Sequence, residues 1–227
     1  MSSTIIEVIK VRKEFGKKHA KVVAVKDVSL KVEKGEVVLI LGPSGSGKTT
    51  LLSLIGCIMT PTTGEVFIHG INVMELPEKM LPGIRKKYIG FVFQGFNLLK
   101  ALTVLENVEV ALNLNDVKGT EAKKRAQEIL VEVGLEERID FYPADLSGGE
   151  KQRVSIARAL VTNPDVILAD EPTGNLDSKT GQKISLILKT LAKEKGASVI
   201  IVTHDNRIEH IADRILYVED GVIKEKR

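Results

Sequence analysis

The run Gly42-Pro43-Ser44-Gly45-Ser46-Gly47-Lys48-Thr49-Thr50 sets glycines, a lysine and two hydroxyls in the pattern G-x-x-x-x-G-K-[ST]. An apolar stretch, 37–41, precedes it and Leu51 and Leu52 follow, so a strand should enter the loop and a helix should leave it. Glycines let backbone N–H groups close around phosphate oxygens, and a helix amino terminus adds the positive end of its dipole. Lys48 is expected to reach the β- and γ-phosphates of a nucleotide, Thr49 to offer its hydroxyl to Mg2+, and Thr50 to bond the α-phosphate. The bland alternative is a glycine-rich turn between strand and helix.

A second pattern weighs against that alternative. Val166-Ile167-Leu168-Ala169-Asp170-Glu171 is an apolar strand ending in two carboxylates, the Walker B arrangement of P-loop ATPases. Asp170 is expected to orient Mg2+ through its water shell, and Glu171 to polarise the attacking water as general base. Strand-end acids can also simply cap the next helix; the lysine loop upstream favours chemistry.

Positioning these groups requires strands whose ends meet. Alternating and β-branched residues predict strands at 5–11, 22–32, 37–41, 65–68, 89–93, 166–169, 198–202 and 215–218. Helical patterns fall at 48–58, 77–86, 104–112, 120–133, 149–161, 179–194 and 208–212. The alternation implies an α/β fold with a mostly parallel sheet covered by helices. From about 95 to 162 only helices follow one another, which reads as a helical subdomain inserted into a core formed by about 1–94 and 163–227. Gly134 sits where a helix should stop in positive φ, and Asp220-Gly221 reads as a turn.

The chain has 227 residues, enough for a full core, with 33 basic and 30 acidic side chains. A net charge of +3 provides no broad basic field, so no nucleic-acid partner is expected, and Arg85-Lys86-Lys87 reads as a solvated face. The single cysteine, Cys57, excludes an intrachain disulfide and reads as a small buried hydrophobe. Charged residues interrupt the amino terminus, and no apolar run approaches the ~18 residues of a membrane span. The expected location is cytoplasmic, with any membrane role supplied by a partner.

Leu146-Ser147-Gly148-Gly149-Glu150-Lys151-Gln152-Arg153, with Ser147 nineteen residues before Val166, resembles the signature of ATP-binding cassette (ABC) ATPases. The resemblance covers essentially the whole chain and implies a P-loop NTPase core with an antiparallel β part at the amino terminus. It implies further roles residue by residue. Gln94, after Phe91-Val92-Phe93, resembles the Q-loop glutamine that contacts Mg2+ or water. Asn175-Leu176-Asp177 resembles the D-loop, and His204, after Ile200-Ile201-Val202-Thr203, the switch histidine that bonds the γ-phosphate. Phe15 aligns with the adenine-stacking aromatic, where family members often carry Tyr. His19, His69 and His210 read as satisfied or exposed side chains.

The family resemblance also implies partnership. In ABC dimers Ser147, Gly148 and the Gly149 amide would face the nucleotide held by a second copy's P-loop, so two Mg·ATP would bridge a head-to-tail homodimer. The segments Gln94–Leu99 and Asp170–Asp177 resemble one branch, which includes macrolide-export, lipoprotein-release and cell-division (MacB, LolD and FtsE-type) ATPases paired with FtsX- or MacB-like integral membrane permeases. Gly95 departs from the bulkier polar residue often found after that glutamine. The apolar residues between Phe93 and Leu105 could form a permease-docking groove or local core. The competing expectation is a soluble ABC ATPase acting on ribosomes or DNA; the tandem cassette or long coiled coil such proteins carry is not seen here.

Overall fold

The computed structural model describes residues 4–16 and 21–225, and His19 lies outside them. Two sheets and six helices make up the fold among these residues. Strands β1 (Thr4–Phe15), β2 (Val22–Glu33), β4 (Thr63–Ile68) and β5 (Ile71–Asn72) form an antiparallel sheet in the order β2-β1-β4-β5. The other sheet takes β3 (Val37–Leu41), β6 (Ile89–Val92), β7 (Val166–Asp170), β8 (Ser198–Thr203), β9 (Arg214–Glu219) and β10 (Val222–Glu225) in the order β10-β9-β3-β8-β7-β6. Its neighbours run parallel except for the β9–β10 hairpin.

The central strands read as continuous apolar runs because both of their faces are covered. All five residues of β3 and all six of β8 are buried. One face of the parallel sheet packs with α1 (Lys48–Ile55) against the antiparallel sheet. The other packs against α3 (Val104–Leu114), α4 (Gly119–Glu132), α5 (Gly148–Leu160) and α6 (Ser178–Glu194). α2 (Leu81–Tyr88) leads into β6. Between β6 and β7 the described residues contain no strand, as the run of helical patterns predicts.

Several boundaries moved for identifiable reasons. The helix expected over 48–58 stops at Ile55: Gly56 is its C-cap, at a place where a side chain would stand 2.4 Å from the Phe91 ring, and the backbone leaves the helix at Cys57 with φ 54. Instead of a helix at 208–212 there is a 3₁₀ segment, Asn206–Ile211, capped by Asp205. The pattern at 77–86 divides into a 3₁₀ turn, Glu78–Met80, and α2. The short strands β5 and β10 were too brief to read from periodicity, although Asp220 and Gly221 do form the expected turn, with φ 50 and 79. Gly134 takes φ 68 as expected. The basic run is only partly a solvated face: Arg85 donates to the Cys57 carbonyl at 2.7 Å and Lys86 pairs with Asp116.

Candidate nucleotide site

Parallel pairing gathers motifs that lie far apart in sequence. β3, β6, β7 and β8 point the same way, so their carboxyl ends share one edge of the sheet. Leu41 lies opposite Thr203, Asp170 opposite Val202, and Val92 opposite Ala169. The loops carrying Lys48, Gln94, Glu171 and His204 leave from that edge.

A cavity of about 290 Å³ opens there, lined by Ala24, Ser44, Gly45, Gly47, Lys48, Thr49, Thr50, Gln94, Glu171 and His204. The glycine loop wraps it closely. Gly47 has φ 102, and a Cβ there would approach the Ala24 carbonyl oxygen to 2.1 Å; one at Gly42 would approach the Val218 carbonyl oxygen equally closely. Lys48, only 5% exposed, donates to the Gly42 and Pro43 carbonyls at 2.7 and 2.8 Å, which leaves a third ammonium proton for the cavity. Burial pulls its pKa below the ordinary lysine value, while Glu171 and Asp170 act in the opposite direction. The buried Ser46 hydroxyl has no partner among the described residues. A buried cation beside a helix amino terminus and a loop of N–H groups suits a polyphosphate.

Thr49 Oγ1 donates to Asp170 Oδ1 at 3.0 Å. Burial pushes the Asp170 carboxyl up, with the Thr49 hydrogen bond pulling it back. Paired hard oxygens of this kind suit Mg2+. No group of three or more His, Cys, Asp or Glu side chains that could hold a metal occurs among the described residues.

Glu171 is held from three directions. Its φ is 46, in the left-handed region that non-glycine residues rarely occupy and that clusters at functional sites. Oε2 accepts from Thr203 Oγ1 at 2.7 Å and from the His204 backbone N–H at 3.3 Å, and Oε1 stands 2.9 Å from His204 Nδ1. His204 keeps 56% of its side chain exposed. Thr203 in turn accepts from the Asp205 N–H, and Asp205 accepts from Thr173 Oγ1 and from two nitrogens of Arg207. Gln94 lies near Glu171 across Gly174, and the Asn175 side chain donates to its backbone carbonyl at 2.8 Å.

The remaining predicted residues lie elsewhere in the chain. Ser147, Gly148, Gly149 and Asp177 line another cavity, of about 390 Å³, that shares no residue with the first. Ser147 is the N-cap of α5 in a capping box with Glu150, and Asp177 caps α6 through the Lys179 and Thr180 amides. Phe15 ends β1, 40% exposed, with Lys13 Nζ 5.4 Å from its ring centre, and does not line the cavity. Gly42, Pro43, Ser46 and Asp170 are not among the lining residues, though Gly42 and Pro43 hold the Lys48 ammonium and Asp170 accepts from Thr49. Sequence reasoning missed Ala24, whose wall position depends on contact between the two sheets, and Thr203, which it read only as part of the run ahead of His204.

A family model described as ABC transporter matches residues 25–174. The chain is 48% identical over 221 residues to an ABC transporter ATP-binding protein of Methanocaldococcus jannaschii, MJ1508, covering 97% of this chain and 98% of that one. It is 42% identical over 221 residues to the macrolide export ATP-binding/permease protein MacB of Salmonella choleraesuis, covering 97% of this chain but 34% of MacB. Among solved structures, the dimeric post-hydrolysis state of the ATP-binding cassette MJ0796, bound to ADP and phosphate, matches with a TM-score of 0.89 at 45% identity, over 98% of this chain and 99% of that chain.

Proposed function

The chain belongs to the ABC transporter family as an ATP-hydrolysing nucleotide-binding domain, and from that premise we propose that it works as a head-to-tail dimer around two Mg·ATP to drive an integral membrane permease. The observation that carries this reading is the separation of two half-sites in one chain. The Lys48 loop and the Ser147 cap line different cavities, which supports a site in which Ser147 and Gly149 come from a second copy.

In the closed site Lys48 and the amino terminus of α1 neutralise the β- and γ-phosphates, and Thr50 bonds the α-phosphate. Mg2+, held through Thr49 and Asp170 with Gln94 nearby, would offset charge on the transferring phosphoryl group. Glu171 takes a proton from water as its oxygen attacks the γ-phosphorus, and the bond from that phosphorus to the β-bridging oxygen breaks to leave ADP and inorganic phosphate. The Thr203 hydroxyl and the His204 amide orient the carboxylate for this step, while the His204 ring would bond the γ-phosphate, the role its resemblance to the switch histidine implies. Asp177, at the amino end of α6, would face the opposite copy, and Phe15, outside the cavity lining, would offer its ring to adenine.

Coupling is assigned to residues 95–162, acting as a helical unit, and to a groove beside it. A largely apolar groove of about 560 Å³ runs between α2, β6, α3 and α5, with Phe93 and Leu99 on its wall. Val104 and Leu105 are core instead, so the apolar stretch after Gln94 divides between the two readings. No helix of the described residues is long and apolar enough to cross a membrane; on this proposal the domain acts peripherally on the cytoplasmic face and drives the permease from there. The likeness to MacB supports an exporter or lipoprotein-release branch. Affinity capture from detergent-solubilised membranes should recover the chain with a permease; recovery of free chain alone would favour a soluble ABC ATPase.

A further inference from the structure

The carboxyl-terminal hairpin reaches the phosphate loop at both of its ends. The Val218 carbonyl of β9 lies where a side chain at Gly42 would have to be, 2.1 Å from an ideal Cβ. At the hairpin tip, the Gly221 N–H donates to the Ser46 carbonyl at 2.9 Å, and the Gly221 carbonyl accepts from the Lys26 N–H at 2.8 Å. The tip therefore fastens the phosphate loop to β2 through one residue. The Ala24 carbonyl, against which Gly47 packs, belongs to that same stretch of β2.

Only glycine fits this position. Gly221 has φ +79, and a Cβ there would meet the Ala24 carbonyl oxygen at 2.8 Å and Val25 Cα at 3.3 Å, both backbone atoms that no rotamer change can move. Any side chain must push the tip away from β2, and the hydrogen bond to Ser46 would carry that shift into the loop.

We propose that Gly221 is a positioning residue of the nucleotide site: it sets the spacing between β2 and the phosphate loop, and with it the shape of the cradle for the α- and β-phosphates. The contact is to the loop backbone, so its effect acts on phosphate groups common to ATP and ADP. It is separate from the Glu171–His204 end of the cavity, where water attacks.

Two substitutions in the intact chain separate backbone strain from collision. Gly221→Ala introduces both; Gly221→Asn tolerates positive φ but keeps the Cβ. Gly70→Asn, in the β4–β5 turn at φ +73 with nothing within 4 Å, is the control. Affinities are read by displacing a fluorescent N-methylanthraniloyl ADP with ATP or ADP, beside steady-state KM and kcat. Both Gly221 variants should weaken ATP and ADP by the same factor, about tenfold. KM should rise by that factor with kcat changed less than about threefold, the pattern of lost uniform binding. Gly70→Asn should match the parent chain, and a merely structural role would lower the melting temperature with affinity unchanged. Parent-like affinity in Gly221→Asn, or a loss confined to kcat, overturns the proposal. Should neither Gly221 variant fold, amide exchange on the unsubstituted chain decides: ADP should slow exchange at Gly221 and Lys26, and no change at either overturns it.

Discussion

At the scale of single residues, the site is a set of side chains whose freedom has been removed. Glu171 is held by strained φ, the Thr203 hydroxyl and the His204 amide, which fix the direction of its carboxylate, as the proposed general base requires. Glu171→Gln should lower kcat by about 10²–10⁴-fold, the range for loss of a general base, while ATP still binds. A near-normal rate in a single-turnover assay would remove Glu171 from that role. Thr203→Val keeps the volume but removes the donor to Glu171 and the acceptor of the Asp205 N–H. Leaving that amide unpaired costs about 1–3 kcal/mol of stability, seen as a lower denaturant midpoint, and kcat should fall with KM little changed.

Cys57 tests burial at the same scale. Burial pushes its thiol up to about 11, with Arg85 acting against the shift, whereas an exposed thiol titrates near 9.0. Between those values the unfolded chain has already lost the proton that the folded chain retains. Stability from this group is therefore complete below pH 9 and declines as pH rises to about 11, by roughly 2–3 kcal/mol. Denaturation of the parent chain and Cys57→Ala should show that difference only above pH 9; parallel curves throughout would refute it.

At the scale of elements, two helices begin with the same device. Thr103 caps α3 through Glu106 and Ser147 caps α5 through Glu150, each in a reciprocal capping box. Thr103→Ala and Ser147→Ala should each cost about 1 kcal/mol in unfolding experiments. If Ser147 also addresses a second copy's nucleotide, its substitution alone should reduce turnover. Equal turnover in the two variants would leave Ser147 as a cap only. Much of this level was readable in advance: the long periodic helices and central strands fall close to their expected places. The end of α1 was not: the helix closes at Gly56, which packs against Phe91, a residue distant in sequence, and Cys57 turns with positive φ. β5 and β10 escaped notice because strands of two and four residues carry almost no period.

For the whole molecule, the test is whether one site is built from two chains. Lys48→Ala and Ser147→Ala should each be nearly inactive alone. Mixed, they can form a dimer with one intact composite site, the Lys48 loop of one copy facing Ser147 of the other. Partial recovery of ATPase activity on mixing is expected, and none would argue that each chain works on its own ATP. ATP should also produce a dimer of Glu171→Gln on sizing chromatography, since bridging nucleotide is retained when hydrolysis is blocked.

The order of amino acids alone determined which groups could do the chemistry: a glycine loop ending in Lys48 and Thr49, two carboxylates at a strand end, and a signature ahead of a helix. These are local patterns, because the loop conformation and the helix start are dictated by neighbours within a few residues. Tertiary structure decided which of them meet. Parallel pairing brings Gln94, Glu171 and His204 to Lys48, while Ser147 and Asp177 face another cavity. It also decided what holds the loop from behind, through Ala24 and Gly221. No spacing in the sequence encodes those contacts, because they depend on backbone atoms of strands far apart in the chain being packed within a few ångströms of one another.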